Sequence, residues 1–477
     1  MVRPGVVHPL RRRARPVARW LSALPSSAPR TRASSSDVGA EEVSGFGANA
    51  PKRGTVFIGS VAYRLGSLAG RADGRWTVRR DRGGGPVRGF SDGHAPGPQG
   101  LRRPAGRPVD LSERHGLHPR RASHRSSRPA ALGLLDRLVA TGCPPIHTYA
   151  FDFGPFTLAG SPGTPESPVS FCPRRTALDK LLVDASGEAG AEIREGFTVD
   201  EILLEEGRVT GIRGHAQGGG PVTEQAPIVI GADGRYSTVA NAVEPARYNE
   251  RPPLLSGYYT YWSGLPMEGR FETYARDHRG WAAAPTNDGL TMVVGGWPYA
   301  EHEANRHDVE GTYMAMFDAA PAFAERIRSA TREARFAGTA VENYFRRPFG
   351  PGWALVGDAG YNRDFITAQG ISDAFCDAEL CTTAVDESLS GARSHDAAMA
   401  AYQSARDERV LPVFEFTCQL AMLEPPPPDL QQLLGAVHGN QDAMDSFARL
   451  NAGVTSPAEF FAPENVGRIF EAAAARG

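Results

Sequence analysis

The pattern of apolar and polar positions predicts regular elements from about residue 131 onward. Residues 131–140, and the stretch that follows Arg174, are typical of amphipathic helices because apolar side chains recur at i+3 and i+4. Two short apolar runs, residues 197–204 and 208–213, flank Glu205-Glu206-Gly207 and predict a hairpin. This part of the chain therefore has a mixed α/β character.

The middle of the chain differs from its surroundings. Residues 250–345 are rich in aromatic and β-branched runs such as Tyr258-Tyr-Thr-Tyr-Trp262, which predicts an inserted β-sheet domain. A long helix is predicted over roughly 396–422, a break at Pro425-Pro-Pro-Pro428, and helical structure beyond it.

Two apolar strands each run into a tight Gly/Asp turn with a helix behind it. Residues 228–230 lead into Gly231-Ala-Asp233-Gly234, and residues 353–356 lead into Gly357-Asp358. A helix then begins at Gly370-Ile371-Ser372, and its apolar positions Ile371, Ala374, Phe375, Ala378, Cys381 and Val385 share one face. Such turns bring backbone close to a ligand, and their carboxylates accept hydrogen bonds from sugar-like hydroxyl groups.

The small net charge conceals a strong asymmetry. Residues 1–130 contain 24 Arg and 1 Lys against 8 acids, a net charge of +17, whereas the rest contains 27 bases against 46 acids, a net charge of −19. The basic segment lacks interleaved aromatic residues and any recognisable module, so nucleic-acid binding is not indicated. No apolar run approaches the ~20 residues that span a bilayer, and the five cysteines show no metal-ligand spacing. We therefore expect a cytoplasmic protein without a metal site or stable membrane insertion.

Residues 1–130 do not resemble a folded domain and are predicted to be disordered or aberrant. Their Arg, Pro, Gly and Ser bias suggests that much of residues 60–130 is a frame-shifted reading of a lost dinucleotide-binding segment. Gly45-Phe-Gly47-Ala-Asn-Ala50 matches G-x-G-x-x-A by letter only, since Pro51 follows where a helix would grow. Thr55-Val-Phe-Ile-Gly59 is a better strand, but the glycines after it are wrongly spaced for a phosphate loop.

The ordered set of motifs resembles the para-hydroxybenzoate hydroxylase-like FAD superfamily over roughly residues 131–425. That group includes aromatic monooxygenases, flavin halogenases and geranylgeranyl-reductase-like enzymes. The resemblance implies a Rossmann-like FAD-binding domain of the glutathione-reductase type, incomplete at its N-terminus, with an inserted antiparallel sheet for substrate and a helical C-terminus. The expected domains are residues 131–249 and 346–424 for FAD, 250–345 for substrate, and 425–477 as a helical segment.

The resemblance also implies roles for particular residues. Asp358, beside Gly357, would bond a ribityl hydroxyl, and the helix start at Gly370, Ile371 and Ser372 would direct its N–H groups at the flavin or phosphates. Asp233 and Gly234 would organise the loop near the pyrophosphate. Arg175, or its neighbour Arg174, would begin the helix that packs along FAD.

Each of these residues has an ordinary structural alternative, and the chain departs from the family in two places. Asp358 and Asp233 are also suitable turn formers, and Arg175 is a suitable solvated helix-start residue.

The Gly-rich pyrophosphate turn and the acidic residue for the adenosine ribose, both expected in this family, are missing from the sequence. Phe365 stands where many relatives have proline, and the W-x-W-x-I-P halogenase motif is absent, which argues against halogenation.

The function implied is that of an FAD-dependent oxidoreductase. We expect an NAD(P)H-dependent monooxygenase that uses molecular oxygen to hydroxylate an apolar, aromatic or polyketide-like small molecule through a flavin C4a-hydroperoxide. Two alternatives remain: a flavin-dependent reductase of a lipid-like olefin, and a non-catalytic relative, truncated or frame-shifted, with impaired FAD binding. No catalytic base is assigned, since His147, His278 and His302 are candidates by residue type alone.

Overall fold

The computed structural model describes residues 56–59, 76–79, 133–165 and 167–476. The strands, in chain order, are β1 Val56–Gly59, β2 Trp76–Arg79, β3 Pro145–Ile146, β4 Thr148–Asp152, β5 Thr157–Gly160, β6 Ser170–Phe171, β7 Ala191–Arg194, β8 Phe197–Glu205, β9 Arg208–Ala216, β10 Pro221–Gln225, β11 Val229–Ala232, β12 Arg247–Arg251, β13 Leu255–Ser263, β14 Arg270–Arg276, β15 Arg279–Pro285, β16 Thr291–Pro298, β17 Thr331–Arg332, β18 Ala337–Ala340, β19 Asn343–Arg346, β20 Phe349–Gly350, β21 Trp353–Leu355 and β22 Tyr361–Asn362.

The helices within the described residues are α1 Leu135–Ala140, α2 Arg175–Glu188, α3 Thr238–Val243, α4 His302–Asn305, α5 Val309–Met316, α6 Pro321–Arg328, α7 Gly370–Leu389, α8 His395–Ala421, α9 Pro428–Val437, α10 Gln441–Asn451, α11 Pro457–Phe460 and α12 Pro463–Ala474. They confirm the predicted helix after Arg174, the long helix near 396–422 and the helical C-terminus. The predicted hairpin is confirmed as β8 and β9. The helix predicted over 131–140 is shorter than expected.

A six-stranded sheet in the order β20-β21-β11-β1-β2-β7 forms the first domain, and all its pairings except β20 with β21 are parallel. Ile228 and Ile230 pack against the side chains of α7 and α8 on one face. Val229 packs on the other face, against the β8–β9 hairpin and α3. Cover on both faces explains why β11 and β21 are continuous apolar runs.

Two strands of this sheet, β1 and β2, come from residues 1–130. This differs from the prediction that the whole of that segment is disordered or aberrant. β1 pairs in parallel with both β11 and β2, with Gly59 opposite Ala232, and so supplies the backbone partner that β11 needs. The strand predicted at 55–59 is thereby confirmed, whereas Trp76–Arg79 was not predicted. The candidate motif at Gly45–Ala50 and the glycines at 66 and 70 lie outside the described residues.

The second sheet has the order β17-β13-β16-β15-β14-β4-β5, with β18 also paired to β13. One of its faces is covered by α5, by α6 and by the turn between them, Phe317–Ala319. Tyr313, Phe317 and Phe323 of these segments pack on Trp262 and Trp281. The sheet extends beyond the predicted range 250–345, because β4 joins the edge of β14 in parallel and β5 follows β4. In the described part of the chain, no helix is long and apolar enough to cross a membrane.

Candidate functional site

Asp358 projects from a tight turn that directly follows β21. The turn is a single 3-10 turn, Gly357–Ala359, in which Gly357 and Ala359 are buried while Asp358 is exposed. Gly357 has φ +58°, a conformation that L-residues rarely adopt, and a Cβ there would stand 3.2 Å from the Cβ of Ala374 on α7. The backbone therefore needs glycine at this position in order to turn closely past the helix and direct the carboxylate outward.

The start of α7 lies beside that carboxylate. Oδ1 of Asp358 is 3.9 Å from the position that a Cβ on Gly370 would occupy. Gln369, at the N-cap, gives no side-chain cap, and Gly370 and Ile371 are exposed while Ser372 is half-buried. The free N–H groups and the positive end of the helix dipole therefore remain open to an electron-rich ligand group beside Asp358. Ile371, predicted on the apolar face of the helix, is instead 42% exposed at this opening.

The electrostatics indicate that Asp358 lies in a recess rather than on an open surface. Solvent reaches its side chain, yet desolvation by the surrounding protein raises the pKa of Asp358. The positive charges of Arg175, Arg235 and Arg363 oppose that rise, and Asp373 adds to it. A carboxylate that water can reach but that protein surrounds is suited to binding a hydroxyl-bearing ligand which displaces that water.

The structure distinguishes the two neighbouring arginines. Arg175 donates two hydrogen bonds to Asp179, of 2.9 and 3.2 Å. Desolvation lowers the pKa of Arg175, but interactions with Asp179 and Asp358, and a smaller one with Tyr259, raise it above the usual value. Arg174 pairs instead with Asp288 at 2.7 Å. Arg175 is therefore the arginine whose charge acts on Asp358, and Arg174 belongs to the neighbouring sheet domain.

Asp233 organises the turn after β11. Its Oδ2 accepts a hydrogen bond from the N–H of Thr238 at 2.7 Å, and Ser237 caps α3 through a 3.0 Å bond from the N–H of Ala240. These contacts show Asp233 acting as a turn former, which was the structural alternative for this residue. Gly234, with φ +78°, completes the turn. Desolvation raises the pKa of Asp233, and its buried Oδ1 has no hydrogen-bond partner within the described residues.

A buried ion network that sequence reasoning missed holds the Asp358 turn in place. Asp377 on α7 accepts a 3.2 Å hydrogen bond from the N–H of Gly357 and a 3.0 Å bond from Arg409 on α8. Arg409 also bonds Asp373 at 3.0 Å, and Asp373 pairs with Arg363. Burial raises the pKa of Asp377 to about 6. The sequence signal was two acids four residues apart on an otherwise apolar helix face.

The sheet domain presents an accessible apolar face near this recess. Residues 257, 259 and 261 of β13 lie on one face, and directly opposite them are Gly296, Val294 and Met292 of β16. Tyr259, Val294 and Met292 are half-exposed, whereas Trp262, Val293 and Trp297 on the other face are buried. This face borders the recess, because Arg174 lies over the ring of Tyr261 at 5.1 Å from its centroid, and Phe365, in the loop between Asp358 and α7, comes within 2.8 Å of the position that a Cβ on Gly257 would take. We call the space between this sheet face and the loop before α7 the cleft.

The comparison with known proteins identifies the family. The profile of the FAD binding domain family matches residues 130–417. This chain belongs to that family. The resemblance inferred from the sequence motifs is therefore confirmed, and FAD is the cofactor that the family binds.

Similar proteins agree with this placement. The chain is 33% identical over 165 residues to phenazine 1,6-dicarboxylic acid hydroxylase PhzS of Lysobacter antibioticus, a match that spans 31% of this chain and 38% of the hydroxylase. The solved structure of the flavin-dependent brominase Bmp2 has a TM-score of 0.65 at 15% identity and covers 89% of this chain and 100% of that one. PqsL of Pseudomonas aeruginosa, a probable FAD-dependent monooxygenase, has a TM-score of 0.57 at 16% identity, with 88% and 99% covered. At these identities the structural likeness shows the fold.

The residues of the recess fit the flavin half of FAD. In open parallel sheets, ligands bind beyond the carboxyl ends of the strands, and the pairings of β1, β11 and β21 bring the turns at Asp233 and Asp358 to that edge. The reachable carboxylate of Asp358 and the uncapped helix start at Gly370 are suited to sugar hydroxyls and an electron-rich ring or phosphate.

The three candidate histidines all lie next to strands of the second sheet. His147 lies beside Gly269, His278 follows β14 in the turn to β15, and His302 stacks on Tyr299 with ring centroids 5.3 Å apart. Within the described residues, no cluster of His, Cys, Asp and Glu is suited to a metal ion. The catalytic acid–base role therefore stays unassigned.

Proposed function

We propose that this chain is an NAD(P)H-dependent FAD monooxygenase that hydroxylates an apolar aromatic or polyketide-like small molecule. The observation that carries the proposal is the position of Asp358 and the start of α7 in front of an accessible apolar sheet face. The alignment with a phenazine dicarboxylic acid hydroxylase supports an aromatic substrate.

In this proposal, FAD when bound supplies the redox chemistry, with NAD(P)H as reductant and molecular oxygen as co-substrate. The chain binds and orients. Asp358 would accept a hydrogen bond from a ribityl hydroxyl, and the positive charge of Arg175 opposes the rise in the pKa of that carboxyl. The open N–H groups at Gly370 and Ile371 would stabilise negative charge on the ring. The half-exposed apolar side chains of Tyr259 and Val294 hold the substrate and exclude water.

Oxygen consumption and product analysis test the proposal. The FAD-loaded protein is mixed with NADPH or NADH, labelled dioxygen and 1-naphthol as an electron-rich aromatic probe. We expect substrate-stimulated NAD(P)H oxidation and a product that contains one labelled oxygen atom. Reduction of an olefin such as geranylgeraniol without oxygen, together with no labelled product, would favour the flavin-dependent reductase. A folded protein that binds no FAD would refute both enzymatic functions.

A further inference from the structure

Three glycines lie directly opposite one another across the sheet face that lines the cleft. Gly257 of β13 pairs with Gly296 of β16, which pairs with Gly280 of β15. The next positions along the same face are Tyr259, Val294 and Ala282, which are half-exposed. The glycine row is thus a shallow groove at one end of the cleft.

Apolar side chains occupy this groove. The ring tip of Phe365 comes closest: its Cζ lies 2.8 Å from the position that a Cβ on Gly257 would take. Leu255 and Leu423 lie 3.2 Å from the corresponding positions on Gly296 and Gly280. Phe365 belongs to the loop between Asp358 and α7, so its ring extends from the proposed flavin site to the substrate sheet.

Hydrogen bonds hold Phe365 firmly in that position. The N–H of Asp364 donates to Oδ1 of Asn343 at 2.6 Å, and Oδ1 of Asp364 accepts from the N–H of Ile366 at 3.0 Å. The N–H of Ala368 donates to the carbonyl of Phe365 at 2.7 Å. A ring fixed on both sides by its own loop acts as a rigid wall.

We propose that Phe365 is a specificity-determining residue that sets the length of planar aromatic substrate which the cleft accepts. The inference rests on the proposed function of the cleft. With Phe365 in place, a ligand is confined to the part of the sheet face that begins at Tyr259, Val294 and Ala282. With a small side chain at 365, the space over Gly257 is open to one further fused ring, because the phenyl ring that is removed has the size of the ring that is added.

Binding measurements on a size series test this assignment. Calorimetric titrations of the FAD-loaded wild type, Phe365→Ala and Phe365→Leu with 1-naphthol and 9-phenanthrol give the ratio of their affinities. We expect Phe365→Ala to shift this ratio at least tenfold toward 9-phenanthrol and Phe365→Leu to shift it by less. Tyr299→Ala is the matched control, because Tyr299 is exposed and stacks on His302 away from the glycine row, and it should leave the ratio unchanged.

The outcomes separate this inference from the proposed function. An unchanged ratio in folded, FAD-loaded Phe365→Ala, or in Phe365→Leu if the alanine variant does not fold, overturns the role of Phe365. The absence of binding of either phenol to all the variants also overturns it. A shifted ratio without any substrate-stimulated oxygen consumption supports the size limit while it refutes the monooxygenase.

Discussion

Replacing the carboxylate of Asp358 should weaken FAD binding without lowering the stability of the apoprotein. Asp358→Asn keeps the shape of the side chain but removes its charge. The hydrogen bond lost is one to a charged group, which contributes about 1.5–3 kcal/mol. That corresponds to a roughly 10- to 150-fold increase in Kd for FAD.

Asp358→Asn should leave the stability of the apoprotein unchanged or increase it. Desolvation raises the pKa of Asp358 in the folded state, so the folded protein holds this proton more tightly than the unfolded chain does. The stabilisation is present below the unfolded pKa and is lost as pH rises through the folded pKa. At neutral pH, which lies above the unfolded pKa, the aspartate therefore costs stability. The asparagine variant should unfold at the same temperature as the wild type or above it.

Titration of apoprotein with FAD, followed by quenching of flavin fluorescence, measures the affinity, and a thermal melt measures the stability. Asp318→Asn is the control, because Asp318 is 60% exposed and pairs with Arg328 in the sheet domain. We expect wild-type affinity in the control. An affinity of Asp358→Asn within threefold of wild type would refute the hydroxyl-binding role of this residue.

Three further predictions follow from the same geometry. Arg175→Gln should raise the Kd for FAD roughly 2- to 5-fold, since exposed pairs contribute up to about 1 kcal/mol. Arg174→Gln should leave the Kd within about twofold of wild type in the same titration. Gly357→Ala should lose about 1–2 kcal/mol of stability and also bind FAD more weakly, whereas Gly391→Ala, with φ +75° and open space around it, should lose stability only; denaturant melts and FAD titration separate the two. Burial raises the pKa of Asp364 to about 7, so the contribution of this residue to stability falls as pH rises from about 4 to 7. Asp364→Asn should remove that fall and increase the free energy of unfolding by roughly 1–3 kcal/mol at about pH 8, as measured by denaturant unfolding.

The sequence was most informative where local pattern alone decides structure. The strands at 229–232 and 353–355 were predictable because a strand covered on both faces is continuously apolar, and each Gly/Asp turn marks its end. The family resemblance implied that Asp358 and the helix start at Gly370 face the same ligand, and the structure places Oδ1 of Asp358 3.9 Å from the Cβ position of Gly370. Their roles toward FAD stay predictions.

Contacts between distant parts of the chain were not predictable. Arg409 reaches Asp377 from a different helix, and neither residue reveals this in its own segment. The choice between Arg174 and Arg175 depends on the residue at which the helix begins: Arg174 is the extended N-cap and Arg175 is the first helical residue, and sequence spacing does not define this boundary. Trp76–Arg79 is a strand because β1 and β7 offer free backbone edges on either side, although the Arg- and Gly-rich surroundings give no strand signal.

The most direct measurement of the central claim is the flavin content of the purified chain. The protein is incubated with excess FAD, desalted, and examined by visible absorbance and by a thermal melt. We predict a yellow protein with close to one FAD per chain and a raised melting temperature, because a ligand that binds only the folded state stabilises it. A well-folded protein that stays colourless at every FAD concentration would contradict the claim that the recess at Asp358 and Gly370 holds this cofactor.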